Sequence, residues 1–289
     1  MIRQFKRSSF TNCLPSFLAS HVRILRSAGG LSSRAGAALA GQRLHPRSSS
    51  CGVMETPMNI SAWRKQYLNA ERPVLAESSL PVREPFGLFD EWFRDVASRK
   101  DELSFEEINA VALSTSTADG RPSSRMVLLK GYGKEGFTFF TNYGSRKGAQ
   151  LASNPNGAML FYWPRVHRQV RIEGVVDRLP PSAADEYWAS RPIGSRISGA
   201  ASPQSRVVPN REHLLARKAE LETAVAEQGE TAVARPENWG GFVLRPGYFE
   251  FWQGQPNRLH DRLVFDRHPP AGEEVEEADD GWHLYRLAP

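Results

Sequence analysis

Between positions 110 and 178 the chain is a string of short β-rich runs at 110–116, 125–132, 137–142, 158–163 and 169–178. The gaps carry turn signals, notably Ala118-Asp119-Gly120 and Asn154-Pro155-Asn156-Gly157. A parallel pair needs a crossover of about a dozen residues or more, usually a helix, so runs packed this closely predict antiparallel pairing in a sandwich or barrel. Later runs at 241–245, 248–254, 262–265 and 282–286 would complete the sheet. Helical periodicity appears at 85–100, where Phe86, Leu88, Phe89, Trp92, Phe93 and Val96 form one apolar stripe, and again at 182–190 and 211–227, the last with Asn210 as its cap. The expected class is therefore mainly β with peripheral helices, an α+β chain. The acidic stretch 273–280 reads as a solvated hairpin loop.

The first 53 residues hold eight Arg or Lys and no Asp or Glu, and their apolar residues are interrupted by Arg, Ser and Gly. That is the composition of a transit peptide, first mitochondrial and second plastid. Met54 offers an internal start for a cytosolic form. Taking those eight charges from the formal +5 leaves −3 for the remainder, so the basic character belongs to the leader and a nucleic-acid role loses its support. No long apolar run argues for a membrane span. Both cysteines, Cys13 and Cys51, fall in the leader, which removes thiolate catalysis and Cys-ligated zinc from the body. The seven histidines show no metal spacing, and no metal site is expected.

Gly131-Tyr132-Gly133-Lys134-Glu135-Gly136 matches a dinucleotide fingerprint, but the segment after it is β-like where the fingerprint needs a helix, so these are turn glycines. Ser145-Arg146-Lys147-Gly148 opens a short helical pattern and puts two cations at a helix start, where phosphate is readily held. Arg125-Met126-Val127-Leu128-Leu129-Lys130 is an apolar strand bounded by cations. Strict alternation places Arg125 and Lys130 on opposite faces, so either they serve different ligands or a bulge intervenes. Read as a strand, Arg258-Leu259-His260-Asp261-Arg262 lines up Arg258, His260 and Arg262 on one side, beside Phe251 and Trp252. Cationic donors next to aromatic rings suit a planar, phosphate-bearing ligand, with a phosphorylated cofactor supplying the chemistry.

These segments, together with Phe140-Thr141-Asn142, Arg168-Gln169-Val170, Ser190-Arg191-Pro192, Gln204-Ser205, Trp239-Gly240-Gly241 and Phe251-Trp252-Gln253-Gly254, closely resemble the pyridoxamine 5'-phosphate oxidase family from about Trp63 to the end of the chain. The resemblance implies an antiparallel FMN-binding split β-barrel at 84–289, preceded by a substrate-lid segment at 54–83. It implies a homodimer with FMN in clefts at the subunit interface. FMN would meet Arg125, Met126, Val127, Leu128, Phe140, Thr141, Arg146, Lys147, Gln169, Gln204, Ser205, Trp252 and Arg262. Substrate phosphate would meet Lys130, Tyr187, Arg191 and Ser195, with Arg258, Leu259 and His260 against the pyridine ring and Arg64 and Tyr67 in the lid. Arg258 and His260 would be the catalytic pair. The implied reaction oxidises pyridoxamine 5'-phosphate or pyridoxine 5'-phosphate to pyridoxal 5'-phosphate, with O2 reduced to H2O2. A flavin-dependent reductase and a non-catalytic flavin or pyridoxal-phosphate carrier remain as alternatives on the same scaffold. Pro256, Ile193-Gly194 and Pro203 depart from the family pattern, and Pro256 bears on how the chain approaches Arg258.

Overall fold

The computed structural model describes residues 74–99 and 107–289 together with Ser61 and Tyr67; the leader, Met54 and Arg64 lie outside the described residues. Ten strands build one antiparallel sheet: β1 (Ala110–Ser116), β2 (Pro122–Leu128), β3 (Gly131–Gly133), β4 (Gly136–Asn142), β5 (Asn156–Trp163), β6 (Arg168–Arg178), β7 (Trp239–Gln253), β8 (Asp261–Asp266), β9 (Glu276–Glu277) and β10 (His283–Arg286). The main path runs β2-β1-β5-β6-β7-β8-β10-β9, while β4 carries β3 on one side and pairs with the first half of β7 on the other. The fifteen-residue β7 is thus the spine, holding β6 along its length, β4 at its start and β8 at its end.

Five helices pack around the sheet: α1 (Pro85–Ser98), α2 (Arg146–Ser153), α3 (Pro181–Ser190), α4 (Ile193–Ala201) and α5 (Arg211–Gln228). Helix α1 starts where expected because Pro85 occupies its first turn and the Glu84 carboxylate accepts from the amides of Phe86 (2.8 Å) and Gly87 (2.6 Å). Its stripe of Leu88, Phe89, Trp92 and Val96 is buried in the main core, with Phe89 edge-on to Phe137 at 4.9 Å and Trp92 edge-on to Phe251 at 5.3 Å. Helix α5 is different, since none of its residues is buried. The Asn210 side chain accepts from the His213 amide at 2.9 Å, as the sequence predicted. Asn210→Ala should therefore cost about 1 kcal/mol locally, read as faster amide exchange in the first turn of α5 with the core transition unmoved.

Four expectations are corrected. The run 125–132 is two strands. β2 leaves β1 after Leu128, and the Lys130 amide donates to Thr138 O (2.9 Å), so the chain steps from the β1 edge to the β4 edge there. The runs 241–245 and 248–254 are one strand, because the ladder with β6 continues through Pro246, opposite Gly174, and a register shift there leaves Gly247 as the extra residue on β7. Residues 258–260 are not strand: β8 begins at Asp261, and Arg258 has φ +67°, so Arg258, His260 and Arg262 do not form one alternating row. The acidic stretch holds the two-residue β9, paired with β10. Helix α4, rich in Gly and Ser, was not anticipated.

Candidate active site

A cleft of about 650 Å³ opens where β2 ends, between β4 and the α3–α4 corner. Met126, Val127 and Leu128 line it from β2, Phe140 and Thr141 from β4, and Lys147 from the first turn of α2. Ser145 caps that turn, its hydroxyl accepting from the Gly148 amide (3.3 Å), while Arg146 is exposed beside it. Lys147 is only 8 % exposed, and its ammonium donates to Thr141 Oγ1 (3.2 Å) and Gln204 Oε1 (3.1 Å). Arg125, half-buried, donates to Leu113 O (3.1 Å), Thr115 Oγ1 (2.6 Å) and Ser123 Oγ (2.7 Å). Among the described residues no carboxylate pairs with either cation. Burial, and then the Arg125 charge, pushes the Lys147 pKa down; burial, and then Arg146, does the same to Arg125. Desolvated cations that repel one another and meet only neutral acceptors form a donor set suited to a dianion such as phosphate.

The other wall of the cleft is aromatic. Tyr187 of α3 stacks on Phe140 at 4.1 Å, and Phe140 stacks on Trp239 at 5.6 Å. The Lys130 ammonium lies 5.9 Å from the Tyr187 ring centre, and the Arg191 guanidinium rests over Trp239 (5.0 Å) and Trp188 (5.2 Å). Arg191 Nη1 is buried without a hydrogen-bond partner, and burial lowers the Arg191 pKa against the opposing influence of Tyr187. Ser195 faces the same space from α4. A Cβ at Gly199 would stand 3.1 Å from Arg191 Nη1, so the glycine lets the guanidinium seat against α4. Lys130, Arg191 and Ser195 thus bring a second group of polar donors to the cleft beside the Phe140–Tyr187 stack.

The remaining candidates gather at the other end of β7. Gln169, Trp252 and Arg262 stand side by side on β6, β7 and β8. His260 Nδ1 accepts from the Gln255 amide (3.0 Å), which leaves the proton of the neutral ring on Nε2. Its ring lies 5.0 Å from Trp252 and 5.2 Å from Tyr67, and Tyr67 packs over Gly254 so closely that a Cβ there would sit 2.8 Å away. Burial, and then Arg258, depresses the His260 pKa. Arg258 and Leu259 project from the exposed turn. Arg262, expected as an open donor, is forked onto Glu250 (2.8 and 3.1 Å) and donates to Ala288 O (2.8 Å). Burial alone would raise the Glu250 pKa, but Arg262 and Arg171 more than offset it and hold the carboxylate ionised. Ser205 is exposed at φ +67° beyond α4.

One chain thus brings many of the candidates together in the cleft and sets Gln169, Trp252, Arg258, His260 and Arg262 apart from them, at the end of β7 that pairs with β8 rather than the end that pairs with β4. Several participants went unrecognised in the sequence. Trp239 completes the aromatic wall, and Gln150 accepts from Thr115 (2.6 Å) and Ser123 (2.8 Å) beside Arg125. Glu250, Gln255 and Asp261 brace the β7–β8 turn. The packing of α2 on β1 brings Gln150 to its partners, and β7 brings in Trp239 and Glu250, pairings that no local spacing encodes.

Comparison with known proteins agrees with this geometry. Residues 100–224 match the pyridoxamine 5'-phosphate oxidase family, and residues 239–289 match the pyridoxine 5'-phosphate oxidase C-terminal dimerisation region. A Caenorhabditis elegans protein bearing the pyridoxamine 5'-phosphate oxidase name is 56 % identical over 237 residues, covering 82 % of this chain and 100 % of its own length. The pyridoxine-5'-phosphate oxidase of Bos taurus is 45 % identical over 237 residues, covering 80 % and 88 %. Among solved structures, PhzG from Burkholderia lata in complex with tetrahydrophenazine-1-carboxylic acid superposes with a TM-score of 0.63 at 31 % identity, over 75 % of this chain and 98 % of that one. With relatives this similar along nearly their whole length, on an antiparallel split barrel, the chain belongs to the pyridoxamine 5'-phosphate oxidase family of enzymes.

Proposed function

We propose that this protein uses FMN to oxidise pyridoxamine 5'-phosphate and pyridoxine 5'-phosphate to pyridoxal 5'-phosphate, with O2 as the acceptor and H2O2 as its product, and with water hydrolysing the imine from the amine substrate to release ammonia. The observation that carries the reading is the pair of desolvated cations, Arg125 and Lys147, whose partners among the described residues are all neutral. An FMN phosphate fits that donor set in charge and in hydrogen-bond type, with Arg146, Thr141 and Ser205 as further donors. When bound, FMN accepts two electrons from the substrate C4' and passes them to O2.

Everything else is placement by the protein. Lys130, Arg191 and Ser195 hold the substrate phosphate, and Tyr187 packs beside it. Arg258 and His260 meet the pyridine ring, with Nε2–H of the neutral imidazole as a donor and the guanidinium as a planar cation that offsets developing charge. Arg262, steadied by Glu250, and Trp252 and Gln169 serve the flavin. Since Trp252, Arg258, His260 and Arg262 stand apart from the cleft and fall within the region matched to the dimerisation family, we infer a homodimer in which each subunit's turn completes the other's cleft. The domain split at 54 and 84, and mitochondrial delivery by the acid-free leader, belong to the same proposal.

The test is to purify the full chain, measure bound FMN, and follow aldehyde and peroxide after adding pyridoxine 5'-phosphate in air. Equal yields of aldehyde and peroxide would establish the oxidase. Flavin bound without turnover would instead favour a reductase or a carrier, and a protein that takes up no FMN would overturn the site.

A further inference from the structure

Asp261 is 6 % exposed and stands one residue after His260, with both carboxylate oxygens engaged by parts of the chain far away in sequence. Oδ2 accepts from the Leu75 amide (3.0 Å) and from Gln255 Nε2 (2.6 Å), while Oδ1 accepts from Arg286 Nη1 (2.8 Å). Arg286 also donates to Leu75 O (2.6 Å) and forks onto Glu77 (2.8 and 3.0 Å). Gln255, held by its side chain to Asp261, uses its own amide to fix His260 Nδ1. The segment that enters at Leu75 is the one that carries Tyr67, whose ring lies edge-on to His260 and Trp252.

We propose that Asp261 is a positioning residue that locks the His260 ring in a single tautomer and orientation, and that the lock is closed jointly by the N-terminal segment at Leu75 and by Arg286 of the last strand. This rests on the functional reading above for its catalytic consequence, though not for the tautomer itself. The physical reason is that a two-oxygen anion is the one side chain of this size able to accept three donors arriving from three segments. The Arg286 charge makes its arm the strong one. Without the anion, Gln255 Nε2 and the Leu75 amide lose their common acceptor, and the turn bearing Arg258 at φ +67° loses the constraint that keeps it in that sparsely populated region. The ring then samples orientations in which Nε2–H no longer points at the substrate position.

Two substitutions test this. Asp261→Asn keeps the shape but turns an NH2 toward at least one donor. Gln255→Met keeps the volume and leaves Asp261 intact, so it still speaks if the first variant folds poorly. The readouts are the His260 tautomer, by nitrogen chemical shifts of labelled imidazole in the FMN-loaded protein, and steady-state turnover of pyridoxine 5'-phosphate. The wild type should show one Nε2–H tautomer near neutral pH, and both variants an averaged pair of shifts. Turnover should fall by roughly tenfold to a hundredfold, as misplacement by about an ångström does, with KM for substrate and FMN content changed far less than kcat. A variant that keeps the wild-type tautomer overturns the proposal. So does a loss of kcat that only tracks loss of FMN and of thermal stability. If the wild type turned over no substrate, the functional reading would fail, and the tautomer measurement would still decide this one.

Discussion

Lys147→Met should yield a protein that is more heat-resistant without FMN and far poorer at holding it. The ammonium is nearly buried, burial and Arg125 already push its pKa down, and no carboxylate among the described residues offsets its charge. An unpaired buried charge is a cost, and methionine fills a similar volume without it. The two groups it leaves behind are not orphaned, because Thr141 Oγ1 already donates to Gln204 Oε1 at 3.0 Å. If about 1 kcal/mol is regained, the apo melting temperature should rise by roughly 2–4 °C for a domain of this size. The flavin side moves the other way. A charge-assisted hydrogen bond to phosphate contributes about 1.5–3 kcal/mol, so the FMN dissociation constant should rise roughly 10- to 100-fold. Differential scanning fluorimetry of apo and FMN-titrated protein reads both effects. Unchanged FMN affinity would remove Lys147 from the phosphate site, and a drop in apo stability would show that the ammonium is satisfied by something other than a ligand.

How much of this was legible before the fold is best seen from particular residues. The strand before Ala118-Asp119-Gly120 was read to the residue, since turn chemistry and alternation are local signals, whereas the one after it was begun three residues late and run on into β3. Helix α1 was equally plain, because its stripe of aromatic residues repeats at helical spacing over the whole element. The phosphate set was half visible. Ser145-Arg146-Lys147 announced a capped helix start, but nothing in the sequence says that Lys147 is buried and Arg146 is not; α2 packing against β1 decides that. Arg125 and Lys130 posed a problem that the step from β2 to β3 answers. The family resemblance assigned residues to ligands, and the separation of cleft from turn within one chain adds what a residue roster lacks. Alternation fits the spacing of the Arg258-to-Arg262 motif, and its one-sided row held only on the condition that the motif is a strand. Backbone conformation overrode that pattern: Arg258 adopts a positive φ two residues after Pro256, and the ladder resumes only at Asp261. The bracing by Asp261, Gln255 and Arg286 had no signal, as the partners lie up to 211 positions apart.

Arg258→Lys should cost on the order of 10²-fold in turnover while FMN affinity stays within a few-fold of wild type. Among the described residues the Arg258 side chain makes no hydrogen bond or ion pair that braces β7 or β8, so its loss should not reach Trp252 and Arg262, the positions proposed for flavin. Lysine keeps the charge and loses the planar fork that a ring-stacking donor needs. A second substitution separates charge from shape. Burial, and next the Arg258 charge, depresses the His260 pKa below its ordinary 6.5, while Asp261 pulls it upward. The Tyr67 and Trp252 rings close around the imidazole. The imidazole must be neutral to accept from the Gln255 amide, so kcat/KM should fall as pH drops through that depressed value. Removing a neighbouring positive charge favours the protonated ring and raises its pKa. The acid limb of the pH profile should therefore move to higher pH in Arg258→Met and stay in place in Arg258→Lys, even though both variants turn over slowly. Equal limbs in the two variants would mean that Arg258 does not sense His260. If activity and FMN were lost in parallel in the lysine variant, Arg258 would belong to the flavin rather than to the reacting carbon.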